Sequence, residues 1–289
     1  MKNKLKVLTI IGGRGFLGKS IVDYAIKKGL LKWKINKIIS ISRKKFFIKN
    51  RKNFKIKYVV GDISKLKKLP SSDYIIYAAN SKNNKKNLKA IKNFSFLLKK
   101  LSKKTKILFT SSGAIYGDIK NKKKYAQNKI KIERIFKNYG FNGYKVSIAR
   151  LFTFMGERIL DDKRYAISDF VNSGFYKKKI LVKSKHVVYR SYMYSYDMVR
   201  WLMSILVNSS TKCPIYNVGS DEVISLHALA KIIGKIFKKP VEIRKINRKK
   251  IEKYVPSIKK AQKELNLKIN YKLKPSLYSI IKQRYKQRN

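Results

Sequence analysis

Short β-rich runs alternate with helical patterns through the first half of the chain, and this rhythm restricts the fold more than any other feature. The runs read KVLTII, NKIISIS, IKYVVGD, DYIIYAA, KILFTSS and YKVSIAR. Between them, apolar residues recur at spacings of three and four, the period of an amphipathic helix. Strands and helices in alternation favour a doubly wound parallel sheet covered by helices on both faces. We therefore predict an α/β fold.

The rhythm changes past Arg150, where residues 155–195 show few strand–helix repeats. Further on, YNVG predicts a late strand, and SLHALAKIIGKIF predicts a helix capped by Ser225. We predict a first domain over residues 1–155 and a smaller one over 156–289. The second is partly interleaved with the sheet of the first, around residues 213–219.

The net charge is the unusual property of the composition. The 289 residues include 72 Lys and Arg against 15 Asp and Glu, which gives a formal net charge of +57. Such a balance suggests a nucleic-acid or anionic-membrane partner. Lysines recur in almost every segment, however, and Lys, Ile, Asn, Tyr and Phe, which all have A/T-rich codons, are abundant together. We interpret the charge as compositional drift, and a nucleic-acid or anionic-surface partner remains an alternative that rests on net charge alone.

Other features of the composition exclude whole classes of protein. No apolar stretch approaches the roughly 20 residues that span a bilayer, so we expect no membrane span. A lone cysteine, Cys213, excludes an intramolecular disulfide framework. The histidines, His186 and His227, lie far apart, and we expect no metal site. The expected compartment is the cytoplasm.

A glycine-rich loop follows the first predicted strand. Gly12, Gly15 and Gly18 form G-x-x-G-x-x-G directly before a helical pattern. Without side chains, the backbone can turn tightly and approach a pyrophosphate, while free N–H groups and the positive end of the helix dipole face the anion. The loop therefore predicts a dinucleotide site.

The end of the second strand indicates which dinucleotide is bound. Sites for NAD usually have an acidic residue about 20 residues beyond the glycines, on the ribose hydroxyls. Here the strand ends in Ser42, Arg43 and Lys44, without an acid. A serine and two cations suit a 2′-phosphate, and Arg14 in the loop can assist them. We predict a preference for NADP(H), with NAD(H) as the alternative.

Catalytic groups are predicted farther along the chain. Tyr125 and Lys129 are spaced i, i+4, which puts them one turn apart on the same face of a helix. An adjacent ammonium favours the phenolate of a tyrosine, whose pKa is near 10 when unperturbed, and so prepares it to exchange protons. Ser112, at the end of the fifth strand, can hydrogen-bond the same substrate oxygen.

At this point the chain resembles a known family, the extended short-chain dehydrogenase/reductases of the NAD-dependent epimerase/dehydratase type, which act on nucleotide sugars. The resemblance implies a Rossmann-type sheet with a smaller C-terminal substrate-binding domain. It rests on stretches that occur in order over nearly the whole chain: GGRGFLG, GDI, YAAN, SSGAIYG, YAQNKIKIE, RLFTFMGER, RSYMYSYDMV, YNVGS and YVPSIKKAQKELNLK.

The resemblance also implies roles for single residues. Asp62 would lie near the adenine, Asn87 would support the environment of Lys129, and Lys129 would also hold the nicotinamide ribose. Arg190 matches an arginine that meets the phosphates of the nucleotide sugar, and it joins Ser112 and Tyr125 as substrate residues. The implied cofactor residues are Gly12, Arg14, Gly15, Phe16, Leu17, Gly18, Ser42, Arg43, Asp62, Ile63, Ala78, Ala79, Asn87, Tyr125 and Lys129.

One departure from the family pattern reduces the number of reactions that the sequence supports. Dehydratases of the family carry Thr-Asp-Glu where this chain has Ser112, Gly113 and Ala114, so the sequence disfavours dehydration. We predict an NADPH-dependent keto-sugar reductase. The alternatives are an epimerase with bound NAD and a non-catalytic member of the fold that binds RNA or an anionic surface through its excess positive charge. The resemblance further implies a homodimer through helices around residues 87–101 and 125–139.

Overall fold

The computed structural model describes residues 5–49, 54–81, 83–117, 124–160, 165–245 and 247–286. The chain forms two compact units. One comprises Met1–Leu151 with Val199–Tyr216, and the other comprises Phe152–Met198 with Asn217–Asn289.

Strands and helices are numbered in chain order. The strands are β1 Lys6–Ile11, β2 Ile35–Ser42, β3 Lys55–Val60, β4 Tyr74–Tyr77, β5 Lys106–Ser112, β6 Lys145–Leu151, β7 Phe154–Met155, β8 Ile180–Val182, β9 His186–Arg190, β10 Met193–Tyr194, β11 Ile215–Val218, β12 Ile224–Ser225, β13 Val241–Ile243 and β14 Asn247–Tyr254. The helices are α1 Phe16–Lys28, α2 Asn84–Leu98, α3 Lys124–Phe141, α4 Ala166–Tyr176, α5 Ser195–Val207, α6 Leu226–Phe237, α7 Lys259–Leu265 and α8 Leu273–Lys286.

The predicted α/β fold is confirmed. A seven-stranded sheet has the order β11-β6-β5-β4-β1-β2-β3, and the neighbouring pairs among β1 to β6 are parallel. Each predicted run forms one of its strands because short apolar runs rich in β-branched residues suit a sheet that is covered on both faces. The strand order reverses between β1 and β4, and ligands bind such sheets at the carboxyl ends of the strands beside this reversal.

An aromatic core fixes α2 and α3 on the sheet. The rings of Phe109 on β5 and Phe136 on α3 stack with their centroids 4.4 Å apart. Phe94 on α2 and Tyr77 on β4 pack against the same cluster at 5.9 and 5.8 Å from Phe136. All four side chains are buried. This packing sets the height of α3, the helix that carries Tyr125 and Lys129, above the end of β5.

The second unit is built from short elements. Its described residues form a three-stranded sheet, β12-β9-β14, and the pairs β10-β7 and β13-β8. Its core lies among α4, α6 and α8. The predicted cap of α6 is confirmed, because the hydroxyl of Ser225 accepts a hydrogen bond from the amide of Ala228 at 3.1 Å. Across the described residues, every helix is too short or too polar to cross a bilayer.

Candidate active site

The glycine loop is fixed to the ends of two strands. Gly12 has a φ of 97°, and a Cβ at this position would lie 2.7 Å from the amide nitrogen of Ala79 and 2.8 Å from the carbonyl carbon of Ala78. The amides of Gly12 and Gly13 both donate to the carbonyl of Ile41, at 3.0 and 2.9 Å. These amides hold the loop against β2, and the missing side chain of Gly12 lets the loop approach the end of β4.

The other predicted glycines have different surroundings. A Cβ at Gly18 would lie 2.4 Å from the carbonyl oxygen of Gly13, so Gly18 lets α1 pack on the loop. Gly15 is exposed, and a Cβ there would meet only the carbonyl of Gly12, at 3.3 Å. Gly15 is the N-cap of α1, and no acidic residue lies in the first turn. The open end of the loop is therefore at Gly15, where the helix dipole favours an anion.

Arg43 and Asp62 lie at the same end of the sheet, beyond β2 and β3. The side chain of Asp62 accepts hydrogen bonds from the amide and the hydroxyl of Ser64, both at 2.9 Å. Burial by itself would raise the pKa of Asp62, but the bonds from Ser64 and the positive charges of Arg43 and Lys65 together lower it. Arg43 is exposed, whereas Ser42 is buried and donates its hydroxyl to the carbonyl of Lys44 at 2.7 Å.

Asn87 fixes the loop that follows β4. Its side-chain oxygen accepts from the amide of Ser81 at 2.7 Å, and its side-chain nitrogen donates to the carbonyl of Ser81 at 2.8 Å. Asn87 is only 6% exposed. These contacts shape the segment after Ala78 and Ala79. The predicted support of Lys129 by Asn87 remains a prediction.

Several other predicted cofactor residues lie around the glycine loop and the end of β3. Arg14 is exposed in the loop, and Phe16 and Leu17, in the first turn of α1, are partly buried. Ile63 is buried in the core beside α2, and its carbonyl accepts from the side chain of Asn93 at 2.7 Å.

The structure brings Tyr125 and Lys129 together at the end of β5. Lys129 is 4% exposed, and its Nζ donates to the carbonyl of Thr110 at 3.1 Å. The same Nζ lies 5.9 Å from the ring centroid of Tyr125 and 5.1 Å from that of Phe109. Tyr125 is 42% exposed, so its ring is accessible. Ser112 closes β5, and its Oγ accepts from the amide of Ala114 at 3.2 Å.

Burial changes the acid–base behaviour of Lys129. Loss of solvation lowers its pKa to about 8, and the negative charge of Glu133 opposes this shift. An ammonium has three donors, and within the part of the chain that the structure describes one of them binds Thr110, which leaves two for a ligand. A buried ammonium with spare donors fits a group rich in hydroxyls, such as a ribose.

An ion-pair network next to this site was not predicted from the sequence. The guanidinium of Arg150, near the end of β6, binds both carboxylate oxygens of Glu133 on α3, at 3.1 and 2.8 Å. It also donates to the hydroxyl of Tyr116 at 2.8 Å and lies 5.0 Å from the centroid of that ring. The only sequence signal was a lone acid at i+4 from Lys129 in a stretch otherwise rich in lysine.

In the second unit, Arg190 is already paired. Its guanidinium donates to the carboxylate of Glu252 and to the carbonyl of Tyr189, and it stacks 5.7 Å from the ring centroid of Tyr254. His186 contacts the other carboxylate oxygen of Glu252 at 3.2 Å. Burial by itself would raise the pKa of Glu252, but the hydrogen bonds and charges of Arg190 and His186 together lower it. A phosphate that binds Arg190 would have to compete with Glu252.

Among the residues that the structure describes, no group of three or more His, Cys, Asp and Glu side chains could hold a metal ion. The phenol of Tyr125 and the ammonium of Lys129, with the hydroxyl of Ser112 at the end of β5, are groups that can take part in proton transfer.

Comparison with known proteins identifies a family and several solved structures to which this chain is similar. A sequence model described as the NAD dependent epimerase/dehydratase family matches residues 8–219. UDP-glucuronic acid decarboxylase 6 of Arabidopsis thaliana is 26% identical over 191 residues, which cover 60% of this chain. The chain spans 55% of the length of that relative.

Solved structures share the fold over nearly the whole chain. UDP-N-acetylglucosamine 4-epimerase from Bacillus cereus superposes with a TM-score of 0.74 at 18% identity, covering 98% of this chain and 97% of its own. The Bordetella bronchiseptica enzyme WbmF, in complex with NADH, gives a TM-score of 0.79 at 16% identity, covering 99% of this chain and 94% of its own. At such identities the likeness shows the fold alone.

Proposed function

This chain belongs to the NAD-dependent epimerase/dehydratase family, and from that premise we propose that it catalyses oxidoreduction of a nucleotide-activated sugar with Tyr125 as the acid–base group. The observation that carries the proposal is the buried Nζ of Lys129, which lies 5.9 Å from the ring centroid of Tyr125. Burying a cation costs free energy unless the cation is paired, so an unpaired buried cation is typical of a functional site. Here its charge favours the phenolate form of Tyr125.

Each group then has a defined role at one sugar oxygen. Tyr125 gives its proton to the oxygen of a keto-sugar or takes the proton of a hydroxyl. Ser112 donates a hydrogen bond to the same oxygen, because its Oγ accepts from Ala114 and keeps its own proton for donation. Lys129 holds the ribose hydroxyls of the cofactor with its spare donors. The nicotinamide, when bound, supplies or accepts the hydride.

We propose NADP(H) as the preferred cofactor. The glycine loop fits a pyrophosphate at the open end near Gly15, where α1 begins without an acid. Arg43 is exposed and acts on Asp62, which the family resemblance puts near the adenine. A guanidinium there suits a 2′-phosphate better than the hydroxyls of NAD.

We further propose net reduction of a keto-sugar, since a reductase consumes its cofactor and an NADP(H) site suits such use. Dehydration is disfavoured because Ala114 stands where dehydratases of the family have an acid. One observation supports an epimerase with retained NAD as the second candidate. Ser42 donates its hydroxyl to Lys44, so it has no proton left for a phosphate.

The cofactor is tested by titrating the protein with NADPH and NADH while nicotinamide fluorescence is followed. We expect NADPH to bind at least tenfold more tightly, and Arg43→Asp to remove that preference. Arg244→Asp, at another exposed arginine, makes the same charge change in the second unit and should leave both affinities unchanged. Equal binding of both cofactors, or preference for NADH, would contradict the NADP(H) proposal and favour the epimerase.

The reaction is tested with UDP-sugars, because the names of two proteins described above, a UDP-glucuronic acid decarboxylase and a UDP-N-acetylglucosamine 4-epimerase, refer to such compounds. With a UDP-4-keto-sugar, we expect oxidation of one NADPH per sugar reduced. Tyr125→Phe should lower turnover by about 100-fold or more while NADPH still binds, since general acid catalysis contributes about that factor. Interconversion of UDP-sugars without net NADPH oxidation would instead identify an epimerase.

We also propose that the chain forms a homodimer through α2 and α3, as its resemblance to the family implies. The exposed rings of Phe96 on α2 and Phe141 at the end of α3 offer apolar area for this contact.

A further inference from the structure

Glu133 links α3, the helix that carries Tyr125 and Lys129, to β6 directly and to the turn after β5 through Arg150. It lies on α3, one turn beyond Lys129, and it is 4% exposed. Its carboxylate holds Arg150 of β6 with two hydrogen bonds, and Arg150 in turn holds Tyr116. A bidentate pair of this kind fixes the direction of both side chains.

The network connects the elements that carry the proposed catalytic residues, Ser112 on one side and Tyr125 with Lys129 on the other. Tyr116 closes the 3-10 turn Gly113–Tyr116, which starts directly after Ser112. Glu133 sits on the helix that carries Tyr125 and Lys129. One ion pair between the buried Glu133 and the partly buried Arg150 therefore sets the position of α3 against β6 and also that of the turn after Ser112.

Glu133 also supplies negative charge near Lys129. Burial lowers the pKa of Lys129 to about 8, and Glu133 opposes that shift. Among the described residues, Lys129 also contacts the ring of Tyr125 on its own helix and the Thr110 carbonyl and Phe109 ring of β5, while the positive charge of Arg150 is paired with Glu133. The lysines of α2, which packs against α3, are all exposed: Lys85, Lys86, Lys89 and Lys92.

We propose that Glu133 is a positioning residue for the active site, which seats the catalytic helix through Arg150 and keeps Lys129 in its charged form. The role of Lys129 in cofactor binding rests on the proposed function. The contacts and charge of Glu133 do not, and they can be tested without any cofactor.

The first measurement determines the pKa of Lys129 in the folded protein from the pH dependence of the free energy of unfolding. The free energy of unfolding is compared between the wild type and Lys129→Met from pH 6 to pH 10.5. Because the folded protein lowers the pKa of Lys129, the unfolded chain binds the extra proton above about pH 8, and the wild type gains stability relative to Lys129→Met as the pH rises to about 10.5. The pH at which this gain begins reports the pKa of Lys129 in the folded protein.

The same comparison is then made in a Glu133→Gln background. We expect the onset to move to lower pH by about half to one unit, because a nearby charge no longer favours the ammonium. Glu133→Gln also leaves the partly buried Arg150 without its carboxylate, which lowers stability. Glu133→Gln with Arg150→Met removes both charges, and we expect it to recover most of that stability.

The double variant separates the two roles. If Glu133 sets the charge of Lys129, the onset remains low in the double variant although stability returns. An onset at the wild-type pH in both backgrounds would overturn the proposal and leave only a structural ion pair.

Binding of NADPH supplies a second readout. As the pH rises, the affinity for NADPH should begin to fall at a lower pH in Glu133→Gln with Arg150→Met than in the wild type. The difference in pH should match the difference between the onsets of the stability gain. Absence of NADPH binding at every pH, together with a shifted onset, would contradict the proposed function and leave the assignment of Glu133 standing.

Discussion

Gly12 and Gly29 are two glycines with positive φ, of 97° and 73°, but their surroundings differ. A Cβ at Gly12 would lie within 2.9 Å of the backbone of Ala78 and Ala79, whereas a Cβ at Gly29 would have nothing within 4 Å. Both substitutions incur the strain of a positive φ, about 1–3 kcal/mol. Only the one at Gly12 also forces the backbone directly after β4 to move.

We therefore expect Gly12→Ala to lower the free energy of unfolding by about 2 kcal/mol more than Gly29→Ala does, because overpacking adds roughly that amount. Urea denaturation of the two variants measures the difference, and titration with NADPH should show weaker binding only for Gly12→Ala. Equal losses of stability would mean that the loop can relax away from β4.

The sequence predicts residues that act locally, and it does so by spacing. The glycine triplet and the pair formed by Tyr125 and Lys129 each lie within a few positions, so their placement follows from helix and turn geometry. The pairs Glu133–Arg150 and Arg190–Glu252 could not be predicted in this way. Their partners are 17 and 62 positions apart, and one cation among 72 Lys and Arg gives no sign of which acid it meets.

At the scale of elements, buried strands and capped helices were predictable, whereas short or fully buried elements were not. The strand KILFTSS, β5, has the predicted bounds because it is a continuous β-rich run. By contrast, α5, SYDMVRWLMSILV, was not predicted as a helix, and most of its side chains are buried, including the acid Asp197. Strands of two residues, such as β7 and β10, exist only because a partner strand lies beside them.

The segment between β4 and α2 depends on one side chain, and this gives a second prediction. Asn87→Ala removes both hydrogen bonds to Ser81, so the backbone amide and carbonyl of Ser81 lose these partners. We expect a loss of about 2–3 kcal/mol in the free energy of unfolding. NADPH should also bind severalfold more weakly, since the segment after Ala78 and Ala79 would line the proposed cofactor site.

The matched control is Asn83→Ala, on the same segment. Asn83 caps α2 by accepting from the amide of Lys86 at 3.1 Å, and it is exposed. Loss of such a cap costs about 1 kcal/mol. We expect no change in NADPH affinity for this variant. A similar change in affinity for both variants would show that the stability of α2, and not the shape of the loop, controls binding.

At the scale of the whole molecule, the net charge of +57 opposes any self-association. The proposed dimer helices illustrate the conflict. The exposed ring of Phe96 offers apolar contact area on α2, while the acid Glu133 of α3 is buried and paired. Exposed cations lie on both helices: Lys85, Lys86, Lys89, Lys92, Lys131, Arg134 and Lys137.

We therefore expect the dimer to form only when salt screens these cations. The Debye length falls from about 10 Å at 0.1 M ionic strength to about 3 Å at 1 M. The dissociation constant measured by sedimentation equilibrium should fall at least tenfold between 50 and 500 mM NaCl. Lys92→Gln with Arg134→Gln removes two of the cations and should dimerise at lower salt, whereas Lys263→Gln with Arg244→Gln, in the second unit, should not differ from the wild type. A monomeric mass at every salt concentration would contradict the dimer. Two cationic faces repel each other less when salt screens them, so a dimer that weakens as salt is added would contradict the assignment of α2 and α3 as its contact.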